Sequence, residues 1–348
     1  MNRITWRSPS NIALIKYWGK TAGQIPSNPS ISFSLQAAYT ETLIEFSGGH
    51  QDTGVSLDFR FEGKENPKFQ KRIAAFIDSV TGYFPSLNGL HLHIESSNSF
   101  PHSSGIASSA SAMSALALCL VSLEKKLNGK LEFMNDFHQK ASYIARLGSG
   151  SASRSIYAGY TLWGSLKNYP PFTNEYAVPI NERIHPVFKT YGDAVLLVSQ
   201  SEKQVSSSAG HRLMEKHPFA KSKFSQSNKN THLMLEILEK GEQMDFILLA
   251  EVEALSLHAM MMTGNPSYLL MEPNTLALIQ KIRQFRRETL IPAGFTLDAG
   301  ANVHFIYPEL NRNEVLGFVQ SDLLPLCQQQ QWIDDKVGHG PVLIKGTL

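Results

Sequence analysis

The 348-residue sequence predicts an α+β fold on three observations. First, short stretches with period-two alternation, such as Ile31–Leu35 and Leu90–Ile94, read as half-buried strands. Second, Phe69, Ile73, Phe76, Ile77 and Val80 recur at helical spacing and predict an amphipathic helix over Pro67–Val80. Third, from residue 190 onward strand patterns and helix patterns follow one another in an α+β arrangement. The chain is 42% hydrophobic and 18% charged, which suits a soluble globular protein of one large or two medium domains. Its net charge of +2 implies no global attraction to nucleic acid or to an anionic membrane. Cys119 and Cys327 are its two cysteines, too few for a disulfide framework, and a reducing cytoplasm fits them best. The N-terminal segment has no continuous apolar run of the kind a signal peptide carries. Neither GxxxxGK[ST] nor GxGxxG occurs, so a nucleotide would not be bound through a P-loop or a Rossmann turn.

In chain order, Asn11–Tyr17 reads as a strand, Thr21–Pro29 as a loop and Ile31–Leu35 as a strand. Thr40–Phe46 and Val55–Phe61 read as further strands joined by the Gly-rich Ser47–Gly54. His91 and His93 alternate along the next strand on its solvent side, with no third ligand in view, so no metal site is expected there. A helix follows Gly105, and a second covers Glu132–Leu147 with Phe133, Phe137, Ala141, Ile144 and Ala145 on its buried face and Gly148 at its end. Gly159–Trp163 is a strand, and Lys167–Pro186 is a loop approaching a domain boundary. Ala194–Ser199 is a strand, followed by helices near Leu213–Lys216, Asn228–Lys240, Met244–Met262 and Pro273–Arg287, with Asn274 as a candidate N-cap of the last. A strand ends at Thr296–Asp298, Val303–Tyr307 is another, Asn313–Leu323 is a helix and Pro341–Ile344 a closing strand. No internal repeat is present, and the one low-complexity tract is Gln328–Gln331.

Three small-residue loops carry the chemistry. Residues 96–123 contain no Asp, Glu, Lys or Arg, and Pro101–Leu120 reads as a Ser/Gly turn feeding a buried helix. A helix start offers free N–H groups and the positive end of the dipole, so Gly105, Ser108 and Ser109 form a candidate phosphate cradle. The competing reading is an Ala/Ser-rich core helix with a Gly at its start. The second loop, GSGSASRS at 148–155, has Arg154 as its sole charge, and a guanidinium there can grip a carboxylate or phosphate with two parallel bonds. A flexible linker is the alternative. The third is the Ser-rich turn Glu202–Gly210. Residues 1–40 hold Arg3, Arg7, Lys16 and Lys20 but no acid, which suits an anionic small ligand or reflects ordinary surface charge. Asp298 is the sole carboxylate between Glu288 and Glu309; beside its Gly turn it suits a general base, or a turn former bonding its own backbone.

SPSNIALIKYWGK (8–20), SNPSISFSL (27–35), PHSSGIASSAS (101–111), ARLGSGSASRS (145–155) and DAGAN (298–302) together resemble the diphosphomevalonate decarboxylases. These belong to the small-molecule kinase superfamily of galactokinase, homoserine kinase and mevalonate kinase. The resemblance runs from about residue 5 to 345, and KYWGK and the GSGSxxRS block are distinctive of the decarboxylase branch. It implies a two-lobed fold with a ribosomal-protein-S5-like N-terminal lobe over 1–188 and a ferredoxin-like C-terminal lobe over 189–348, the last strand returning to the first lobe. It further implies ATP and Mg²⁺ as cofactors, a mevalonate phosphate as substrate, a homodimer, and ATP-dependent decarboxylation of mevalonate 5-diphosphate to isopentenyl diphosphate.

Carried over by resemblance, Asp298 is the catalytic acid group near the substrate hydroxyl. Arg154 grips the carboxylate, and Asn11 orients it. Tyr17, Lys20, Ser149 and Ser151 bind substrate, with Lys16 and Arg72 as diphosphate contacts. Ser104, Gly105, Ser108 and Ser109 take the nucleotide phosphates, and Ser206 and Ser207 help close the site. The sequence departs from the family pattern at Ser153 for Cys, Ala301 for Pro, His102-Ser103-Ser104 for Thr-Ala-Ala, His211 where Met is common, and along the segment after His258. Relatives in this branch act on monophosphates or phosphorylate position 3 without decarboxylating. A mevalonate-phosphate 3-kinase, a phosphomevalonate decarboxylase and a non-catalytic nucleotide- or metabolite-binding relative are therefore the alternatives.

Overall fold

The first strand, β1 (Arg3–Ile15), starts well before the expected Asn11 and pairs antiparallel with β2 (Ser30–Gly48). In this computed structural model, which describes residues 2–48, 54–101, 106–167, 169, 171–200 and 207–346, β2 is one continuous 19-residue strand. Sequence periodicity divides it into two, because alternation breaks at Gln36–Ala38. The break is a bulge, with Pro9 opposite Tyr39 but Asn11 opposite Ser34. The N–H groups of Gln36, Ala37 and Ala38 donate to the carboxylate of Asp335 at 2.7–2.8 Å, nearly 300 residues away in sequence.

β3 (Val55–Phe61), β4 (Lys64–Glu65), β5 (Leu90–Asn98), β6 (Tyr160–Trp163) and β7 (Val178–Pro179) complete most of the N-terminal sheet. Its main path runs β12-β1-β2-β5-β3-β4, where β12 (Val342–Lys345) returns from the end of the chain to lie against β1. The second sheet is antiparallel, in the order β11-β8-β10-β9: Trp332–Lys336, Gly192–Leu196, Val303–Tyr307 and Gly294–Thr296. β11 went unassigned from sequence because it carries Asp-Asp-Lys after a Gln tract and shows no apolar alternation. The mixed α+β, two-lobed architecture is the one expected.

α1 (Pro67–Val80) has the predicted bounds: Asn66 caps it by accepting the Phe69 N–H, and Pro occupies its first position. α2 (Ser108–Asn128) is buried along most of its length against β1. Its serines are bonded rather than merely small: Ser114 to Ser8 and Ser111 to Thr40, both at 2.6 Å, and Ser122 to the Trp6 indole at 2.8 Å. Hydroxyls paired in this way can be buried without the cost of lost hydration.

α3 (Phe137–Gly148) starts later than expected because Asp136 caps it, and Phe133 lies outside it, 60% exposed instead of on a buried face. After it come α4 (Ser207–Leu213), α5 (Ala220–Lys240), α6 (Gln243–Met262), α7 (Pro273–Thr289) and α8 (Arg312–Phe318). Asn274 does not cap α7. Glu272 does, in a capping box with Thr275, while Asn274 donates to the Leu326 carbonyl. No helix among the described residues is long and apolar enough to cross a membrane. One apolar cluster spans both lobes, with Ile12, Leu14 and Phe33 of the first sheet packed with Val195, Leu235 and Phe246 of the second unit. This shared core fixes how the two lobes face the cleft.

Glu124 on α2 and Lys140 on α3 form an ion pair at 2.6 Å with neither side chain exposed. Removing one partner strands a buried charge. We expect Lys140→Met to cost about 3–5 kcal/mol in chemical denaturation, and the double change Glu124→Leu/Lys140→Met to cost markedly less.

Candidate active site

Five parts of the chain converge on a cleft of about 650 Å³. The end of β1 and its following loop supply Asn11, Lys16, Tyr17 and Lys20; α1 supplies Arg72; the start of α2 supplies Ser108 and Ser109. The turn after α3 supplies Ser149, Ser151 and Arg154, and the loop after β9 supplies Asp298. Ser104, Gly105 and Ser206 lie outside the described residues, as does the side chain of Ser207. Every other candidate named from sequence lines this one cavity.

Arg154 sits in a tight 3-10 turn over Gly150–Ile156 and is 3% exposed. Its Nε donates to Asn11 Oδ1 at 3.2 Å and its Nη1 to Ser30 Oγ at 2.5 Å. Asn11 is itself held, donating to the Ser151 carbonyl at 3.1 Å and to Ser155 Oγ at 2.8 Å. Burial brings the guanidinium pKa down to about 10, with the Asp298 charge opposing that fall. It therefore stays cationic at neutral pH, rigidly aimed, with its second terminal nitrogen free of any partner among the described residues. Ser30 was missed from sequence because it reads as one more serine of an alternating strand.

Lys16 is 1% exposed, and its Nζ donates to Asp298 Oδ1 at 3.2 Å and to the Ala13 carbonyl at 2.6 Å. Burial lowers its pKa, and the Asp298 charge is the largest influence raising it. α6 holds both halves of this pair. Glu253 Oε2 accepts the Lys16 backbone N–H at 3.1 Å, while Oε1 accepts Lys223 Nζ at 2.8 Å and Asn230 Nδ2 at 2.6 Å. Five residues on, His258 Nε2 donates to the Asp298 carbonyl at 3.1 Å, and burial pulls its pKa down to about 4, so the ring acts as a neutral donor. Neither Glu253 nor His258 carries a local sequence signal that points to Asp298.

The two small-residue loops meet where Ser109 Oγ and Ser149 Oγ lie 3.3 Å apart. Ala107, which precedes α2, has a φ of 43° and provides no side-chain cap; its carbonyl takes the Ala110 N–H at 2.7 Å, while the N–H groups of Ser108 and Ser109 keep their capacity for an anion. Tyr17 packs on Trp163 at 4.7 Å, and its buried hydroxyl has no partner among the described residues. Lys20 bonds Gln24 at 2.7 Å; burial, then Arg212 and Arg72, lower its pKa. Arg72 is exposed on α1 at the cavity edge.

Residues 8–170 match the diphosphomevalonate decarboxylase-like N-terminal domain, and residues 194–342 match the mevalonate 5-diphosphate decarboxylase C-terminal domain. The chain belongs to the diphosphomevalonate decarboxylase family. It is 28% identical to the diphosphomevalonate decarboxylase of Candida albicans over 337 residues, spanning 90% of this chain and 86% of that one. It is 29% identical to that of Saccharomyces cerevisiae over 333 residues, spanning 90% and 79%. Among solved structures, the Staphylococcus aureus mevalonate diphosphate decarboxylase superposes with a TM-score of 0.84 at 27% identity, over 99% of this chain and 98% of that one. A structure described as MDDEF in complex with MVAPP, AMPPCP and magnesium gives 0.82 at 28% identity, over 99% of both.

Gly150 abuts Tyr17: a Cβ there would lie 2.6 Å from the Tyr17 hydroxyl and 2.9 Å from the Trp163 ring. Gly150→Ala is therefore expected to destabilise the fold by about 1–3 kcal/mol through overpacking, read as a lower midpoint in urea unfolding.

Proposed function

We propose that this chain is an ATP-dependent decarboxylase that converts mevalonate 5-diphosphate to isopentenyl diphosphate, ADP, phosphate and CO2. The observation that carries the reading is that Asp298, backed by Lys16, and the partly unpaired Arg154 line one cavity. The residues present fit a nucleotide and its metal. The start of α2 with Ser108 and Ser109 suits phosphates, and Phe59, Phe61 and Phe69, which line the same cleft, suit a base. Among the described residues no group of three His, Cys, Asp or Glu side chains could hold a metal, so Mg²⁺ would be bound mainly through the phosphates it accompanies. ATP with Mg²⁺ supplies the phosphoryl group that turns the tertiary 3-hydroxyl into a leaving group.

The protein's part is positioning and charge. Asp298 takes or orients the proton of the 3-hydroxyl, and Lys16 keeps its carboxylate turned inward. Arg154 grips the substrate carboxylate in a fixed plane, with Asn11 and Ser30 holding the guanidinium. When phosphate leaves C3, positive character develops there, and the electrons of the breaking C–CO2⁻ bond quench it as the alkene forms. That alignment demands rigidity, which a buried, doubly tethered Arg provides. Tyr17, Ser149 and Ser151 surround the substrate, while Lys20 and Arg72 face its diphosphate. Lys16, named from sequence as a diphosphate contact, already spends two of its three ammonium protons on Asp298 and Ala13, so its main role in this reading is to hold Asp298. We place the enzyme in the cytoplasm as a homodimer; two buried free thiols support the reducing setting.

Incubation with ATP, Mg²⁺ and mevalonate 5-diphosphate, following ADP, phosphate and CO2, tests the reading. ADP without CO2 would make the protein a 3-kinase, and neither product would make it a binding protein. Asp298→Asn and Arg154→Ala should each lower CO2 release by roughly 10²–10⁴-fold while an ATP analogue still binds. Glu253→Gln, which removes the charge gripping the Lys16 backbone, should lower kcat about tenfold or more with little change in either KM.

A further inference from the structure

His211 lies on α4 and is 6% exposed, and what exposure it has faces the same cavity. Its ring is held between two aromatics, with centroids 4.4 Å from Tyr17 and 4.9 Å from Trp18. Its Nδ1 accepts the backbone N–H of Gly19 at 3.0 Å. Gly19 has a φ of +90°, and Phe224 occupies the space a Cβ would need, at 2.7 Å, so the direction of that N–H is fixed by a position only glycine fills.

An Nδ1 that accepts carries no proton, so the neutral ring carries its proton on Nε2. Burial, then the charges of Lys20 and Arg154, hold the ring pKa down to about 3, and the imidazole is neutral at working pH. Among the described residues nothing accepts from Nε2, and the residue lines the cavity. A rigidly held donor thus belongs to the cavity wall, its ring packed on that of Tyr17, whose buried hydroxyl also lacks a partner among the described residues.

We propose that His211 is a substrate-binding residue whose neutral Nε2–H donates to a phosphate oxygen of the substrate on the Lys20 side of the cavity. This rests on the function proposed above. The substrate carboxylate has Arg154 for its partner, whereas Lys20 follows directly on Gly19, whose N–H the His211 ring accepts, and lines the same cavity. A neutral donor adds a bond to an anionic oxygen without placing a third full positive charge beside Lys20 and Arg154. An apolar side chain here could not donate at all, so the bond would tune this chain's preference for phosphorylated substrate.

The test compares wild type, His211→Met and His211→Gln, whose amide nitrogen can reach the Nε2 position. His211→Met should raise KM for mevalonate 5-diphosphate about tenfold, the loss of one bond to a charged group, while KM for ATP stays put and kcat changes far less. His211→Gln should recover most of that loss. In wild type, ¹H–¹⁵N NMR of the imidazoles should show the Nε2–H tautomer and a shifted Nε2 proton on adding mevalonate 5-diphosphate. An Nδ1–H tautomer, an Nε2 proton indifferent to the ligand, or an unchanged KM in His211→Met would overturn the proposal. Should wild type release no ADP, the decarboxylase reading itself fails; the response of the Nε2 proton to inorganic pyrophosphate then decides the donor separately.

Discussion

Lys16 and Asp298 approach to 3.2 Å from opposite lobes, 282 residues apart, and most of the site depends on that contact. An ammonium 1% exposed would be expensive if left alone. It is tolerated because the Asp298 carboxylate and the Ala13 carbonyl both take its protons. The same Ala13 carbonyl accepts the Thr296 hydroxyl at 3.3 Å, so the strand leading to Lys16 is tied to the strand leading to Asp298. α6 then clamps the backbone on each side, through Glu253 at Lys16 and His258 at Asp298. A carboxylate meant for proton chemistry gains its orientation from these neighbours rather than from its own turn.

Neutral groups hold the other parts of the cavity in place. Ser30 and Asn11 restrain Arg154, and paired hydroxyls seat α2 on β1. This leaves the buried cations Lys16 and Arg154 in surroundings that screen them poorly and so strengthen their interactions with anionic groups. Glycine at 148 and 150 lets the loop pass close to Phe76, Met113 and Tyr17, where any side chain would collide.

Much of the fold was legible locally. Pro67–Val80, Val55–Phe61 and Val303–Tyr307 have the expected bounds because each carries its own cap or periodicity. The failures share a cause. β2 looks broken until Asp335 arrives from another sheet to satisfy its bulge, and β11 has no apolar period of its own. Phe133 looks like a core residue of a helix whose cap, Asp136, lies beyond it, and Asn274 looks like a cap because Asn is a favoured capping residue, yet Pro273 is the first helical residue and Glu272 holds the box. Within the site, Asp298 and Arg154 stood out as lone charges in uncharged stretches, whereas Ser30, Glu253 and His258 had no such contrast.

Residue chemistry in sequence order determined the family, the small-residue loops and the two charges on which catalysis would turn, since each is written in contiguous letters. Tertiary structure decided which group answers which: that Lys16 faces Asp298, that Glu253 grips the Lys16 backbone, and that His211 receives the Gly19 N–H. Those pairings depend on how two sheets and α6 close over one apolar core, and distances of a few ångströms between residues hundreds apart leave no trace in local pattern.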